Sequence, residues 1–331
     1  MDNFVQAADI NIMSFSDDDD LRLFKSRDDP ELARKILRVK HNDPEVKRLD
    51  LDTDVVGLSE RARWRLGDIL GQNTNVEELM LWCFSLDGVW LGAGLQKNRC
   101  IQKFELVGID FQDNANMTSL APFLSHNPSL KNVTLVACNL GPSSINILSN
   151  ALSNRLEDTL EYLDLCGNHI GDIELDELCL ALSRSRKLSS LGLMNNGIGL
   201  KGCTSLAKLL VNQDSNLTYL HLDINSIDDE SAVILADSLA KNKKLEYLTL
   251  KGNNAIATAG WSSILKLVCN SSIINNTMNS NHDLFHLGMP AADLEKAAGH
   301  ALGVENVNLL CASLKLNAEN KKMWVTMRRI I

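Results

Sequence analysis

The sequence has few aromatic residues, little proline and glycine, and no long apolar run. Of its 331 residues only 5% are Phe, Trp or Tyr, and it holds 6 Pro and 19 Gly, whereas 45% are hydrophobic. This composition is not typical of disorder, and a membrane-spanning helix needs roughly 18 consecutive apolar residues. We therefore expect a folded protein with no membrane partner.

Basic residues are also scarce. The chain has 33 Lys and Arg against 42 Asp and Glu, a net charge of −9. Because non-specific nucleic-acid binding depends on clustered Lys and Arg, this balance disfavours nucleic acid as a partner. Asp2, Asp9 and the run Asp17 to Asp20 near the amino terminus have no basic flank and no apolar core, which is not the pattern of a secretory signal. The sequence predicts a cytoplasmic location.

Motifs that carry catalysis or hold cofactors are missing. The sequence contains no GxxxxGK[ST] phosphate loop, no GxGxxG and no GxSxG, and its 8 cysteines include no CxxC pair. His282 and His286 are spaced as in a zinc-protease motif, but Asp283 replaces the Glu that acts as general base and no third ligand is evident. We therefore expect no enzymatic activity, no metal and no cofactor.

Leucine and asparagine, by contrast, are abundant, with 55 Leu and 32 Asn. The segment LEYLDLCGNHI at 160–170 recurs as LSSLGLMNNGI at 188–198. Both fit the template L-x-x-L-x-L-x-x-(N/C)-x-L, which is the leucine-rich repeat pattern. Copies of the template, some of them weaker, start at Val46, Val76, Ile101, Leu130, Leu160, Leu188, Leu217, Leu245 and Ile273.

The interval between starts indicates the subclass of repeat. Intervals of 25 to 30 residues leave room for a full helix after each strand and turn. This part of the repeat has a recurring motif of a Leu, a small residue and a second Leu four positions after the first, as in Leu206, Ala207 and Leu210. The spacing puts both Leu on one face of a helix.

The sequence thus resembles the ribonuclease-inhibitor-like leucine-rich repeat family over about residues 46–282, and its helix motif at 64–74 is similar to copies in uncharacterised cytosolic proteins of microbial eukaryotes. The resemblance implies an α/β solenoid of about nine repeats of roughly 28 residues, shaped as a horseshoe with a parallel concave sheet and convex helices. Template positions one, four and six should point inward. The Asn at position nine should bond to turn backbone, and the residues expected in this ladder are Asn168, Asn196, Asn225, Asn253 and Asn281, with Cys138 as a variant. Asp54, Phe84 and Ile109 depart from it.

Four segments are expected. Residues 1–28 read as a flexible acidic tail, 29–45 as a capping helix that Asp29 and Pro30 start, 46–282 as the repeats and 283–331 as a helical C-terminal cap. Ser14 and Ser16 before the acidic run Asp17 to Asp20 resemble an acidic-directed phosphorylation site, although a solvated tail explains the run equally well.

The informative surface of such a solenoid is its concave face, where template positions three, five and seven align in columns across the repeats. Column seven is apolar in five consecutive repeats, and column three holds all three tyrosines. An exposed apolar stripe rimmed by charge is typical of an interaction surface. The residues predicted to bind a partner are Met80, Trp82, Glu105, Val107, Val136, Tyr162, Asp164, Cys166, Met194, Tyr219, His221, Asp223, Tyr247 and Lys251.

The leading functional hypothesis is a non-catalytic scaffold or recognition module that binds one or more proteins on this face. Two alternatives come from the fold alone. One is a GTPase activator of the Ran-activating type, although those activators typically end in an acidic tail and residues 315–331 here carry five basic residues and one acidic one. The other is an enzyme inhibitor of the ribonuclease-inhibitor type, whose acidic residues would face a basic enzyme. The oligomeric state is left open.

Overall fold

A computed structural model describes residues 16–24, 31–51, 55, 57–82, 88–112, 114–268 and 286–288. Helices and strands alternate along these residues. The helices are α1 Asp17–Leu23, α2 Leu32–Lys40, α3 Glu60–Gln72, α4 Val89–Leu95, α5 Asn114–His126, α6 Pro142–Ser153, α7 Asp172–Leu182, α8 Leu200–Val211, α9 Asp229–Leu239 and α10 Thr258–Val268. The strands are β1 Arg48–Leu51, β2 Glu78–Trp82, β3 Lys103–Val107, β4 Asn132–Val136, β5 Tyr162–Asp164, β6 Ser190–Gly192, β7 Tyr219–His221, β8 Tyr247–Thr249 and β9 His286–Gly288.

The nine strands form one parallel sheet in sequence order, from β1 to β9. Each strand pairs with the next at the same template position, as in Leu163 opposite Leu191 and Leu191 opposite Leu220. Helices need about 10 Å of spacing while strands need about 4.8 Å, so the sheet lies on the inner face of the curve and the helices lie outside. The predicted α/β solenoid with a parallel concave sheet is confirmed.

The core is a continuous layer between the sheet and the helices. Positions one, four and six point into it, and in the fifth repeat Leu160, Leu163 and Leu165 are at most 1% exposed. From the helix side, Leu206 and Leu210 of α8 are buried against the same layer. Because a single repeat leaves this layer open at both edges, stability comes from stacking one repeat on the next.

The position-nine ladder is present where the structure describes it. Asn168, Asn196, Asn225 and Asn253 each bond to backbone groups of their own repeat and of the repeat before it. Cys138 occupies the same position and is fully buried, which raises the pKa of its thiol to about 12. Asn281, Asp54 and Phe84 lie outside the described residues.

A second asparagine row closes the helix side of the repeats. Asn73, Asn98, Asn127, Asn212 and Asn242 follow their helices, and each amide nitrogen donates to a carbonyl of the preceding repeat. Their amide oxygens accept backbone N–H groups that lead into the next strand, as Asn98 does from Cys100 and Ile101, both at 3.0 Å. In the repeats that start at Leu188 and Leu217, side-chain amides therefore hold the turns at both ends.

The amino-terminal acidic run is not the flexible tail that the composition predicted. Asp17–Leu23 forms α1, which Ser16 caps, and Asp20 is fully buried. Its carboxylate accepts hydrogen bonds from Lys40 Nζ at 2.7 Å and from Arg65 Nε at 3.0 Å. Because two cations compensate for the burial, the acidic run packs on α2 and α3. The predicted capping helix is α2, and Asp29 and Pro30 lie outside the described residues.

The ninth strand also differs in position from the prediction. A repeat starting at Ile273 places its strand around 275–279, whereas the strand that pairs with β8 is His286–Gly288. The predicted boundary at 282 and the purely helical cap from 283 are therefore wrong at these three residues. Leu284, Leu287 and Met289 fit template positions one, four and six at a longer interval, which the regular spacing of the earlier repeats obscured.

Candidate functional site

The concave face is built from template positions three, five and seven, as the sequence predicted. Strand pairing places Trp82, Val107 and Val136 side by side, and it places Tyr219 beside Tyr247. Odd template positions within a strand alternate with the buried leucines, so their side chains stand on the face away from the helices. All fourteen predicted residues lie among the described residues.

The apolar stripe of column seven is exposed at its two ends and covered in the middle. Trp82 is 53% exposed and Met194 39%, while Val107 and Val136 are half-buried and Cys166 is only 9% exposed. Met80 in column five is likewise buried. The expectation of one continuous exposed stripe is therefore wrong, and the large apolar contacts divide into two areas.

The first area surrounds Trp82. Its indole Nε1 donates to the Glu105 carboxylate at 3.2 Å, and Lys103 Nζ lies 3.6 Å from the same carboxylate. A hollow of about 220 Å³ beside the indole is lined by Trp82, Met80, Leu51, Arg48 and Asp50. Arg48 pairs with Asp50 across 2.9 Å at its rim. An exposed aromatic ring thus stands next to a shallow hollow with charges of both signs.

The covered middle of the face is held by Asp164. Its Oδ1 accepts the backbone N–H of Cys166 at 3.0 Å, and its Oδ2 accepts the Tyr162 hydroxyl at 3.0 Å. Burial, together with the Asp164 charge, raises the pKa of both Tyr162 and Cys166, so both stay protonated at neutral pH. Gly192 on the next strand makes this possible, since a β-carbon there would lie 2.5 Å from Asp164 Oδ1 and 3.2 Å from Cys166 Sγ. Asp164 and Cys166 therefore form a hydrogen-bonded floor between the two areas.

The second area lies on β6 to β8. The rings of Tyr219 and Tyr247 stack with centroids 4.4 Å apart and an interplanar angle of 9°, which leaves Tyr219 37% exposed. Met194 lies at position seven of the preceding repeat, and His221 at position five of the same strand as Tyr219 is half-buried. Asp223 Oδ1 accepts the backbone N–H of Lys251 at 2.7 Å, which ties position seven of this repeat to position seven of the next.

Ile224 belongs to this second area and was not predicted. It is 52% exposed and has φ of 54°, in the left-handed region. Position eight is left-handed in six consecutive repeats, where the residues are Gly108, Ala137, Gly167, Asn195, Ile224 and Gly252. A β-branched residue is strained in this conformation, typically by about 1–2 kcal/mol. The sequence signal was an Ile at a template position that Gly, Asn or Ala holds in the other five of these repeats.

The described residues contain no group of three or more His, Cys, Asp or Glu placed to hold a metal ion. His286 lies in β9, and His282 lies outside the described residues. Among those same residues, none of the helices has both the length and the apolar character to cross a membrane.

Comparison with known proteins agrees with this architecture. A family model described as Leucine Rich repeat matches residues 159–176 and 184–207. The NACHT, LRR and PYD domains-containing protein 3 of Bos taurus is 29% identical over 239 residues, which cover 68% of this chain and 23% of that protein. The ribonuclease inhibitor of Sus scrofa is 30% identical over 154 residues, covering 46% of this chain and 33% of the inhibitor. The chain spans about a fifth of the length of the NACHT relatives that it matches.

Solved structures with similarity include the actin-binding site 2 of leiomodin-1, with a TM-score of 0.27, 13% identity and coverage of 90% of this chain and 97% of that one. Another is a Bacteroides fragilis protein, with a TM-score of 0.40, 17% identity and coverage of 62% and 67%.

The repeat template, the parallel sheet and the matched repeat model define a leucine-rich repeat solenoid. Within that class the chain is similar to ribonuclease-inhibitor-like leucine-rich repeat proteins, because its repeats return through full helices such as α7 and α8 and because the pig inhibitor is similar in sequence. The relatives indicate a protein-binding module, and modules of this kind generally act as non-catalytic scaffolds.

Proposed function

We propose that the protein is a recognition module that binds a partner protein on its concave face, through the two areas around Trp82 and around Tyr219. The observation that carries this proposal is the exposure of large apolar side chains on a sheet face, with Trp82 at 53%, Met194 at 39% and Tyr219 at 37%. Aromatic and Met side chains in such positions are typical anchors of binding energy.

The spacing of the two areas favours a partner with an extended contact surface. Trp82 lies on β2 and Tyr219 on β7, five strands apart in the sheet order. At about 4.8 Å per strand this separation is roughly 24 Å along the sheet, which a folded protein or a long peptide spans and a small molecule does not. The paired strands of the continuous sheet between them set the distance between the two areas before binding, which lowers the entropic cost of binding.

A native-extract pull-down tests the proposal. The bait is the intact chain beside a variant in which Trp82, Met194 and Tyr219 are changed to Lys, and bound proteins are quantified by mass spectrometry. The matched control carries Val211→Lys and Val233→Lys, which place two of the same changes on the helix side at 39% and 38% exposure. We expect a partner that the control retains and the concave variant loses, with both variants showing the same helical circular dichroism as the intact chain. Identical sets of bound proteins from both variants would contradict the proposal.

Enzyme inhibition is a second candidate, which the half-buried acids Glu105 and Asp164 and the similarity to pig ribonuclease inhibitor favour. Such acids would meet basic groups around an enzyme's active site. Its test is the activity of a basic ribonuclease at increasing concentrations of this protein, with Glu105→Gln and Asp164→Asn beside it. Unchanged ribonuclease activity would remove ribonuclease as the target.

The Ran-activator alternative stays a prediction. Its test is the rate of GTP hydrolysis by Ran in the presence of this protein.

A further inference from the structure

Helix α7 carries an apolar ridge on the convex face. Ile173 is 73% exposed and Leu180 is 76% exposed, and they lie seven residues apart on one side of this helix. Seven residues make about two helical turns, so both side chains project from the same outer line about 10.5 Å apart. Because they are exposed, these two side chains do not pack in the core of the solenoid and do not stabilise it.

The neighbouring repeats serve as internal controls for this ridge. At the position of Ile173 the adjacent helices α6, α8 and α9 carry Ser143, Lys201 and Glu230, and at the position of Leu180 they carry Asn150, Lys208 and Asp237. All six of these side chains are polar and exposed. Folding of a repeat therefore does not need an apolar residue at either position. The apolar pair on α7 must have a role other than stabilising the fold.

A groove runs beside the ridge, between α7 and α8. Two adjoining hollows of about 440 and about 250 Å³ follow it, the first at Ile173 and Lys201 and the second at Leu180 and Leu209, and Lys208 lines both. Ser205 on α8 donates to Asp176 on α7 across the floor. The ridge formed by Ile173 and Leu180 thus lies next to a groove. This groove is large enough to receive two aliphatic side chains from another molecule.

The two walls of the groove carry opposite charge. Helix α7 contains Asp172, Glu174, Asp176 and Glu177 and no basic residue, whereas α8 contains Lys201 and Lys208 and no acidic residue. Neither lysine makes an ion pair with any residue that the structure describes. Helix α6 on the other side of α7 is uncharged. Acidic ridge, groove and basic wall are therefore neighbours on one patch.

We propose that this patch binds a second copy of the same chain. With a two-fold axis along the groove, α7 of each copy lies over the α7 and α8 groove of the other. Ile173 and Leu180 then fill the hollows of the other copy, and the acids of α7 face the unpaired lysines of α8 in that copy. The patch is self-complementary in shape and in charge, which is what an isologous interface requires. Because only two large apolar side chains of each copy anchor the contact, we expect a weak dimer that forms at micromolar concentrations. This inference is independent of the concave-face function.

Sedimentation velocity of the intact chain tests the dimer over concentrations from about 1 to about 100 μM, the range that matches micromolar association. We expect the weight-average sedimentation coefficient to rise with concentration from monomer toward dimer. Ile173→Glu with Leu180→Glu should weaken association at least about tenfold, as loss of two central anchors does. Val233→Glu changes an exposed apolar residue of α9 and should leave association unchanged. Trp82→Lys should also leave it unchanged, which separates the dimer from any contact through the concave face.

Charge reversal provides the second test. Lys201→Glu with Lys208→Glu should weaken the dimer, whereas Lys241→Glu with Lys243→Glu makes the same change in net charge at exposed positions after α9 and should not. A chain that stays monomeric at every concentration would overturn the proposal, as would a dimer that survives the change of Ile173 and Leu180. Failure here leaves the pull-down on the concave face unaffected.

Discussion

The Asn168 side-chain oxygen accepts the backbone N–H of Cys138 at 3.0 Å, so the asparagine of one repeat completes the turn of the repeat before it. The same oxygen accepts Leu140 N at 3.1 Å, and the amide nitrogen donates to Leu135 O at 2.8 Å. One buried side chain therefore satisfies three backbone groups of its neighbour, and each ladder bond is also an inter-repeat contact.

Asn168→Ala should lower the free energy of unfolding by about 3 kcal/mol, because it leaves several buried backbone groups without partners. Urea denaturation followed by circular dichroism measures the change. Asn254→Ala is the matched control, since Asn254 is exposed beside the ladder residue Asn253, and it should change stability by less than about 0.5 kcal/mol. Equal effects of the two substitutions would contradict the ladder's role.

Helices α3 and α4 meet through glycine, and this contact gives a second prediction. A β-carbon on Gly71 would collide with the carbonyl oxygen of Gly94, while nothing lies within 4 Å of a β-carbon on Gly141. Gly71→Ala should therefore destabilise the protein by about 1–3 kcal/mol through overpacking, although alanine is the better helix former. Gly141→Ala should be close to neutral. Thermal denaturation of the two variants side by side checks this, and a stabilising Gly71→Ala would show that the helices separate easily.

The strain at Ile224 predicts a substitution that raises stability. Ile224→Asn puts into the left-handed position the residue that the preceding repeat has there, Asn195, and should raise the free energy of unfolding by about 1 kcal/mol. The reciprocal change Asn195→Ile should lower it by a similar amount. If Ile224 contributes to partner binding, Ile224→Asn also weakens capture of the partner, so stability and binding change in opposite directions. A loss of stability in Ile224→Asn would mean that the isoleucine packs favourably.

The buried Asp20 predicts an acid-sensitive amino-terminal cap. Burial by itself raises the pKa of this carboxyl, but the hydrogen bonds from Arg65 and Lys40 outweigh it and hold the pKa below its ordinary value. A carboxyl whose pKa is lower when folded contributes stability above the pKa of the unfolded chain, about 4, and that contribution is lost as pH falls through the folded value. Asp20→Asn should therefore be less stable than the intact chain at pH 7, and the difference should shrink below pH of about 4. The free energy of unfolding measured from pH 7 down to about 3 checks this, and a difference that does not depend on pH would contradict it.

The sequence predicted the repeats because their cause is local and periodic. Leucines at positions one, four and six and the asparagine at nine depend only on the template, so the pairing of Leu163 with Leu191 and the Asn168 ladder followed directly. The second asparagine row was missed, although Asn73, Asn98 and Asn242 each stand three residues before a template start. Its regular spacing was a signal in the sequence.

Features that depend on tertiary contacts could not be predicted in the same way. The acidic run of α1 looks solvated until Lys40 and Arg65 are placed beside Asp20. Cys166 fits an exposed column, and its burial depends on the missing side chain of Gly192 and on the position of Asp164. The exposure of Ile173 and Leu180 could not be predicted, because it depends on which side of α7 faces the core of the solenoid. The cytoplasmic location stays a prediction.

Site-specific photo-crosslinking shows whether the concave face contacts a partner protein. A photoreactive phenylalanine analogue replaces Trp82 or Tyr219 on the concave face, or Val233 on the helix side, and each protein is irradiated in native extract. We expect one discrete cross-linked protein that the two concave positions share and that is absent at Val233. The same product at all three positions, or none at either concave position while Val233 gives one, would contradict it.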